Sequence, residues 1–217
     1  MNKNTIIITA VSVIVMLGFL VGAYMLTSKP EVTEYPELKQ VQSTDNTKWS
    51  KKNQRILVEF SDLQCPACAQ YHSILLKELS KDKEVTDNVT FIYKHFPLDA
   101  AHPHAREAAY AAEAAGKQGK FFEMHDLLFE NQNAWSGEEN PVETFVGYAK
   151  KLKLNEKQFN TDMKSKEIQD KVQNDFILGT KVGVQGTPTF FLNGKKLANP
   201  ATIEEFKQIL LNDSNSQ

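Results

Sequence analysis

Cys65 and Cys68 are the only cysteines in a chain of 217 residues, and they stand three apart in Cys65-Pro66-Ala67-Cys68. Two sulfurs at that spacing can close and reopen a disulfide. A bridge over so short a loop removes little chain entropy, so it stabilises a fold weakly. The pair is better explained by chemistry than by stapling. Half of a zinc site is the other reading, but zinc usually takes four ligands, and there is no second C-x-x-C. A thiolate is the nucleophile in disulfide exchange, so a working site must lower one thiol's pKa. Pro66 suits the first turn of a helix, where its missing N–H is no loss. Cys65 then sits where unpaired backbone N–H groups and the helix dipole favour an anion. Cys68 lies one turn deeper on the same face. Cys65 is therefore expected to attack and carry the mixed disulfide, and Cys68 to resolve it.

Three other positions have types that matter. Glu59 lies in an apolar run, Ile56-Leu57-Val58-Glu59-Phe60, six residues before Cys65. Buried there, its carboxyl should have a raised pKa, suited to exchanging a proton with the deeper thiol. Thr187-Pro188 opens a late apolar run, and a proline without an N–H leaves a strand edge free for a substrate backbone. His95, His102 and His104 are close in sequence, but no acidic cluster accompanies them, so they are expected to be helix-entry or solvated residues.

The elements that must position these residues follow from the pattern. Residues 55–61 read as a central strand, and the amphipathic stretch Ala69 to Leu79 as the helix that carries Cys68. Val89 to Phe96 reads as a second strand ended by Pro97. From Ala100 to Lys181 the spacing is helical. Thr187 to Leu192 returns to strand, and Asn193-Gly194 signals a hairpin. A capping box from Thr202 to Glu205 opens a closing helix. Strand, helix, strand, helical block, hairpin and helix make an α/β chain.

Thr5 to Leu26 runs 22 residues without a charge. As a helix this spans about 33 Å, enough for a bilayer core. The expectation is residues 1–4 in the cytoplasm, one transmembrane anchor over 5–26 and the catalytic part outside. A cleaved signal peptide, with Val21-Gly22-Ala23 as its small-residue site, is the rival. Residues 27–50, with Pro30, Pro36 and mixed charges, read as a tether. A net charge of −2 without a basic stripe gives no reason to invoke nucleic acid.

The motifs together resemble the DsbA family of extracytoplasmic thiol:disulfide oxidoreductases, and within it the membrane-anchored, BdbD-like members. The resemblance runs from about Leu57 to Leu210 and rests on four stretches. They are Val58 to Cys68; Lys94-His95-Phe96-Pro97-Leu98; Gln118-Gly119-Lys120-Phe121 with Met124-His125-Asp126; and Gly183 to Phe190 with Asn193-Gly194-Lys195. It implies a thioredoxin-like fold over residues 51–98 and 182–217, with an all-helical insertion at 99–181. It implies that Cys65 and Cys68 are the redox pair, Glu59 the buried acid, Pro188 a cis-proline and Thr187 the residue whose backbone faces substrate. Pro66 and Ala67 would tune the thiolate; some strong oxidases of this family carry a histidine between the cysteines, which this chain lacks.

The implied activity is the introduction of disulfides into reduced secreted or membrane proteins. It needs no cofactor beyond the Cys65–Cys68 disulfide, which a quinone-linked membrane partner would regenerate. The expected setting is the cell membrane, single-pass, with a monomeric catalytic domain outside. Two alternatives keep other classes open: a client-specific reductase or isomerase with reversed electron flow, and a copper-thiolate or chaperone-like binding module.

Overall fold

The computed structural model describes Asn2, residues 14–20 and residues 33–212. The chain divides into two units, the second beginning at Glu34. In the first, residues 14–20 are helical and expose apolar side chains from Ile14 to Leu20. Most of the expected anchor, residues 5–26, lies outside the described residues. Among the described residues, no helix is long and apolar enough to cross a membrane.

The second unit is built on a five-stranded sheet in the order β1-β3-β2-β4-β5. The strands are β1 (Asn46–Trp49), β2 (Arg55–Ser61), β3 (Val89–His95), β4 (Thr189–Leu192) and β5 (Lys195–Lys196). β2 and β3 run parallel, and the other pairings are antiparallel. The two central strands are buried almost throughout, which is why they read as continuous apolar runs.

Side chains alternate across the sheet and build two cores. Ile56, Val58, Phe60, Ile92 and Phe191 face one side, with Val182 and Val184. Leu57, Phe91, Tyr93, Phe190 and Leu192 face the other, with both cysteines and most of the helical block. Glu59 shares the face of Leu57, so the alternation aims its carboxyl at the cysteine side. The helices between β3 and β4 are Ala105–Gly116, Phe121–Glu130, Gln132–Trp135, Val142–Lys151, Glu156–Met163 and Lys166–Lys181. They join the second core through Ala108, Met124, Trp135, Phe145 and Phe159.

Two glycines are demanded by geometry. A Cβ on Gly179 would lie 2.5 Å from Phe96 and 2.9 Å from Phe60, so only glycine lets helix Lys166–Lys181 approach so closely. Asn193 (φ 49°) and Gly194 (φ 77°) are both left-handed, as the tight turn joining β4 to β5 requires.

The expected tether is corrected from Glu34 onward. Glu34 bridges to Lys195, Leu38 is buried, and β1 pairs along β3 with Lys48 opposite Phe91. Four polar-leaning residues have no periodicity of their own, and β1 exists through its pairing. A helix at Lys83–Asn88, capped by Asp82, also went unread. The stretch after Cys68 is not one regular helix either: Pro66–Tyr71 passes through a π-helical turn at His72–Leu76 into Lys77–Leu79.

Candidate active site

Cys65 caps the helix Pro66–Tyr71 with extended backbone (φ −73°, ψ 122°), and Pro66 follows at the first position. The backbone N–H groups of Ala67 and Cys68, at the helix N-terminus, favour an anion on the Cys65 sulfur, although neither closes a capping hydrogen bond to it. Both cysteines are free thiols in this structure. Cys65 keeps 6% of its surface exposed while Cys68 keeps none, so only Cys65 can be reached from outside. The Cys65 thiol is pulled down to about 5, first by a hydrogen bond from the Cys68 side chain and then by the two backbone N–H groups, against the cost of burial. Burial and the neighbouring Cys65 push the Cys68 thiol well up. The two sulfurs thus divide into an ionised, reachable one and a protonated, enclosed one.

The loop between β2 and this helix is held from three sides. Buried Asp62 accepts from Gln64 N–H at 2.8 Å, Leu98 N–H at 2.9 Å and His102 Nδ1 at 2.7 Å. Its own carbonyl accepts from Cys65 N–H at 3.0 Å. Gln64 Oε1 accepts from His104 N–H at 2.7 Å. Gln132, from the helical block, donates through Nε2 to the carbonyls of Leu63 (2.8 Å) and Cys65 (3.1 Å). The opposite wall is the Thr187–Pro188 peptide, which is cis. The Cys65 sulfur lies 3.5 Å from the Thr187 carbonyl oxygen. Asn199 Nδ2 donates to the Pro188 carbonyl at 3.0 Å and holds this wall.

Glu59 is 1% exposed and lies between Tyr93 and Phe190 in the sheet register. Neither carboxylate oxygen has a hydrogen-bond partner, nor does the Tyr93 hydroxyl. Burial pushes the Glu59 carboxyl up to about 7, with the Ser61 hydroxyl and the Lys48 ammonium working against the shift. Its charge is felt at Cys68. A carboxyl that is half ionised near neutrality can exchange a proton with that thiol.

Cys65, Pro66, Ala67, Cys68, Thr187 and Pro188 thus surround one sulfur, with Glu59 in the core behind it. Reading the sequence missed Asp62, Gln132, Tyr93 and Lys48. Gln132 carries no signal beyond its place in a helical stripe, and Lys48 depends on the unread β1. The reading of the three histidines as helix-entry or solvated residues is corrected for His95, which is buried on β3 with Nε2 3.0 Å from Glu113; His104 does enter the helix Ala105–Gly116, and His102 Nδ1 meets Asp62 at 2.7 Å. A groove of about 580 Å³ lined by Asp45, Lys94, Glu113, Lys171 and Asp175 contains none of the redox residues.

Residues 43–212 match the sequence profile of the thioredoxin family. The chain belongs to that family. Solved structures with the same fold include alpha-DsbA1 from Wolbachia pipientis, at 23% identity and a TM-score of 0.70 over 81% of this chain and 93% of that one. Oxidised BdbD from Bacillus subtilis is matched at 23% identity and 0.70 over 83% of this chain and 97% of that one. These likenesses agree with the resemblance carried by the motifs. Among curated sequences, the Na(+)/H(+) antiporter NhaA 1 of Salinispora arenicola is 38% identical over 148 residues, 68% of this chain. This thioredoxin-family chain spans about a fifth of the length of that relative.

Proposed function

We propose that the chain is a DsbA-like thiol:disulfide oxidoreductase that works as a thiol oxidase on reduced proteins outside the cytoplasm. The observation that carries this reading is the placement of the pair: Cys65 sits reachable at a helix N-terminus, which draws its pKa down to about 5, while Cys68 is fully enclosed, which pushes its pKa up. A thiolate stabilised in the reduced enzyme favours the dithiol, and so favours handing the disulfide on.

A substrate thiolate attacks Cys65 of the Cys65–Cys68 disulfide. The S–S bond breaks, and Cys68 leaves with the electron pair and takes up a proton, for which the Glu59 carboxyl is the buried source. A second substrate thiolate then attacks the substrate sulfur of the mixed disulfide, and Cys65 leaves as the thiolate. The substrate loses two electrons, and the enzyme holds them as one thiolate and one thiol. In reverse, Cys68 is the group that resolves the mixed disulfide. Thr187 and Pro188 line the path on which the substrate backbone would lie, and Pro66 and Ala67 set the N–H groups around the sulfur.

A membrane setting is supported by the uncharged stretch 5–26 and by relatives that are named as antiporters. The catalytic part would then be single-pass anchored and monomeric, and a quinone-linked membrane protein would reoxidise the pair. The test is a Cys68→Ala variant expressed with its own envelope proteins and resolved on non-reducing gels. Mixed disulfides that vanish on reduction are expected; their absence, with the variant folded, would overturn the mechanism.

A further inference from the structure

Away from the cysteines, the molecule holds a polar cluster that redox chemistry does not use. His72 begins the π-helical turn, four residues after Cys68. His125 and Asp126 lie on helix Phe121–Glu130. One ligand-capable atom from each of the three lies within 4.8 Å of the others. His72 Nε2 is 3.6 Å from Asp126 Oδ1, and His125 Nδ1 donates to the same oxygen at 2.8 Å, a hydrogen bond whose proton a metal ion would replace. Two ligands of a tetrahedral zinc ion at ~2.0 Å stand about 3.3 Å apart, so the widest pair must close by about 1.5 Å and the hydrogen-bonded pair open by about 0.5 Å.

The histidines are built in, yet three of their four ring nitrogens lack a hydrogen-bond partner. The His72 side chain is 3% exposed and that of His125 is 1% exposed. Both ring nitrogens of His72 and Nε2 of His125 lack a hydrogen-bond partner. Their rings are fixed by packing: His72 stacks on Phe129 at 5.1 Å and meets the edge of His125 at 5.0 Å. A core that wanted only aromatic volume would use phenylalanine there and bury no orphan nitrogen. Asp126 is 43% exposed and opens the cluster to solvent. A groove of about 340 Å³ between Ser73, Lys77, Phe129 and Glu130 reaches His72.

We propose that His72, His125 and Asp126 bind one divalent transition-metal ion of zinc's borderline class. Two imidazoles and a carboxylate suit zinc, and they leave a fourth position to water. The ion would tie the active-site helix to the helical block one turn beyond Cys68. Lys48 is the opposing charge: it acts on Asp126, His72 and His125 together, and an incoming cation must compete with it for the Asp126 carboxylate.

The experiment uses the full chain in detergent, oxidised so that Cys65 and Cys68 offer no thiolate. Zinc is titrated calorimetrically, and cobalt(II) absorption reports the ligand set. The expected result is one ion per chain. Asp126→Asn, half exposed and safe for folding, should weaken binding about tenfold or more. Lys48→Met should tighten it. His72→Phe, which keeps the stacked ring, should abolish the cobalt signal. Absence of binding by the oxidised wild type would overturn the proposal. So would equal affinity in wild type, Asp126→Asn and Lys48→Met, which would place the ion on surface histidines such as His104.

Discussion

The Cys65 sulfur lies 3.5 Å from the carbonyl oxygen of Thr187, the residue before Pro188. The contact joins the two ends of the thioredoxin-like fold across the helical block between them. As a thiol, Cys65 can donate to that oxygen. As a thiolate it cannot, and the N–H groups of Ala67 and Cys68 are then the backbone donors that favour its charge. Ionisation of that sulfur thus costs the contact to Thr187 its donor.

The largest influence lowering the Cys65 pKa is the hydrogen bond from Cys68. In Cys68→Ala the thiolate loses that donor. Its ultraviolet absorbance should then titrate at a higher pH than in the reduced wild type, where the midpoint is expected near 5. An unchanged midpoint would assign the stabilisation to the helix terminus alone.

The pH dependence of the reduction potential follows from the same division. Below about pH 5 reduction takes up two protons with two electrons; above it, with Cys65 ionised, it takes up one. Each proton contributes about 30 mV per pH unit for a two-electron couple. The slope should therefore fall from about 60 to about 30 mV per unit near pH 5, as read by equilibration against a dithiol buffer.

Glu59 carries a sign that stability measurements can read. Its folded-state pKa, about 7, is above its ordinary 4.5. The fold therefore disfavours the ionised form. This contribution to stability is complete below about pH 4.5 and is lost as pH rises through 7. The loss amounts to roughly 3 kcal/mol. In Glu59→Gln that pH-dependent loss should disappear from urea melts of the oxidised protein. The same variant should slow reduction of the disulfide, because Cys68 loses its buried proton donor.

Gly179→Ala places a methyl group 2.5 Å from the Phe96 ring, below any ordinary contact. Overpacking of this kind costs about 1–3 kcal/mol. Urea melts should show that loss, while the Cys65 titration stays in place because the strain falls on the sheet face away from the cysteines.

The sequence made the site legible where chemistry needs particular residue types close together. Cys65, Pro66, Ala67 and Cys68 announce a helix terminus by themselves, and the apolar run around Glu59 announces burial. β2, β3 and the Asn193-Gly194 hairpin were legible because their periods and turn residues are local. β1 was not, because Asn46 to Trp49 have no apolar alternation and are ordered by pairing with β3. Gln132 was hidden for a related reason: its role depends on where a distant helix docks, and no spacing within that helix records it. His72 read only as part of a helix stripe, and its partners His125 and Asp126 are brought to it by tertiary packing.

The central claim is that a stabilised Cys65 thiolate makes this chain a disulfide donor. The most direct test is the redox equilibrium of the purified full chain against glutathione, read by thiol trapping on a gel. The account predicts an equilibrium far toward the dithiol in buffers where most protein disulfides stay closed. An equilibrium toward the disulfide, even in strongly reducing buffer, would contradict it and make the protein a source of electrons instead.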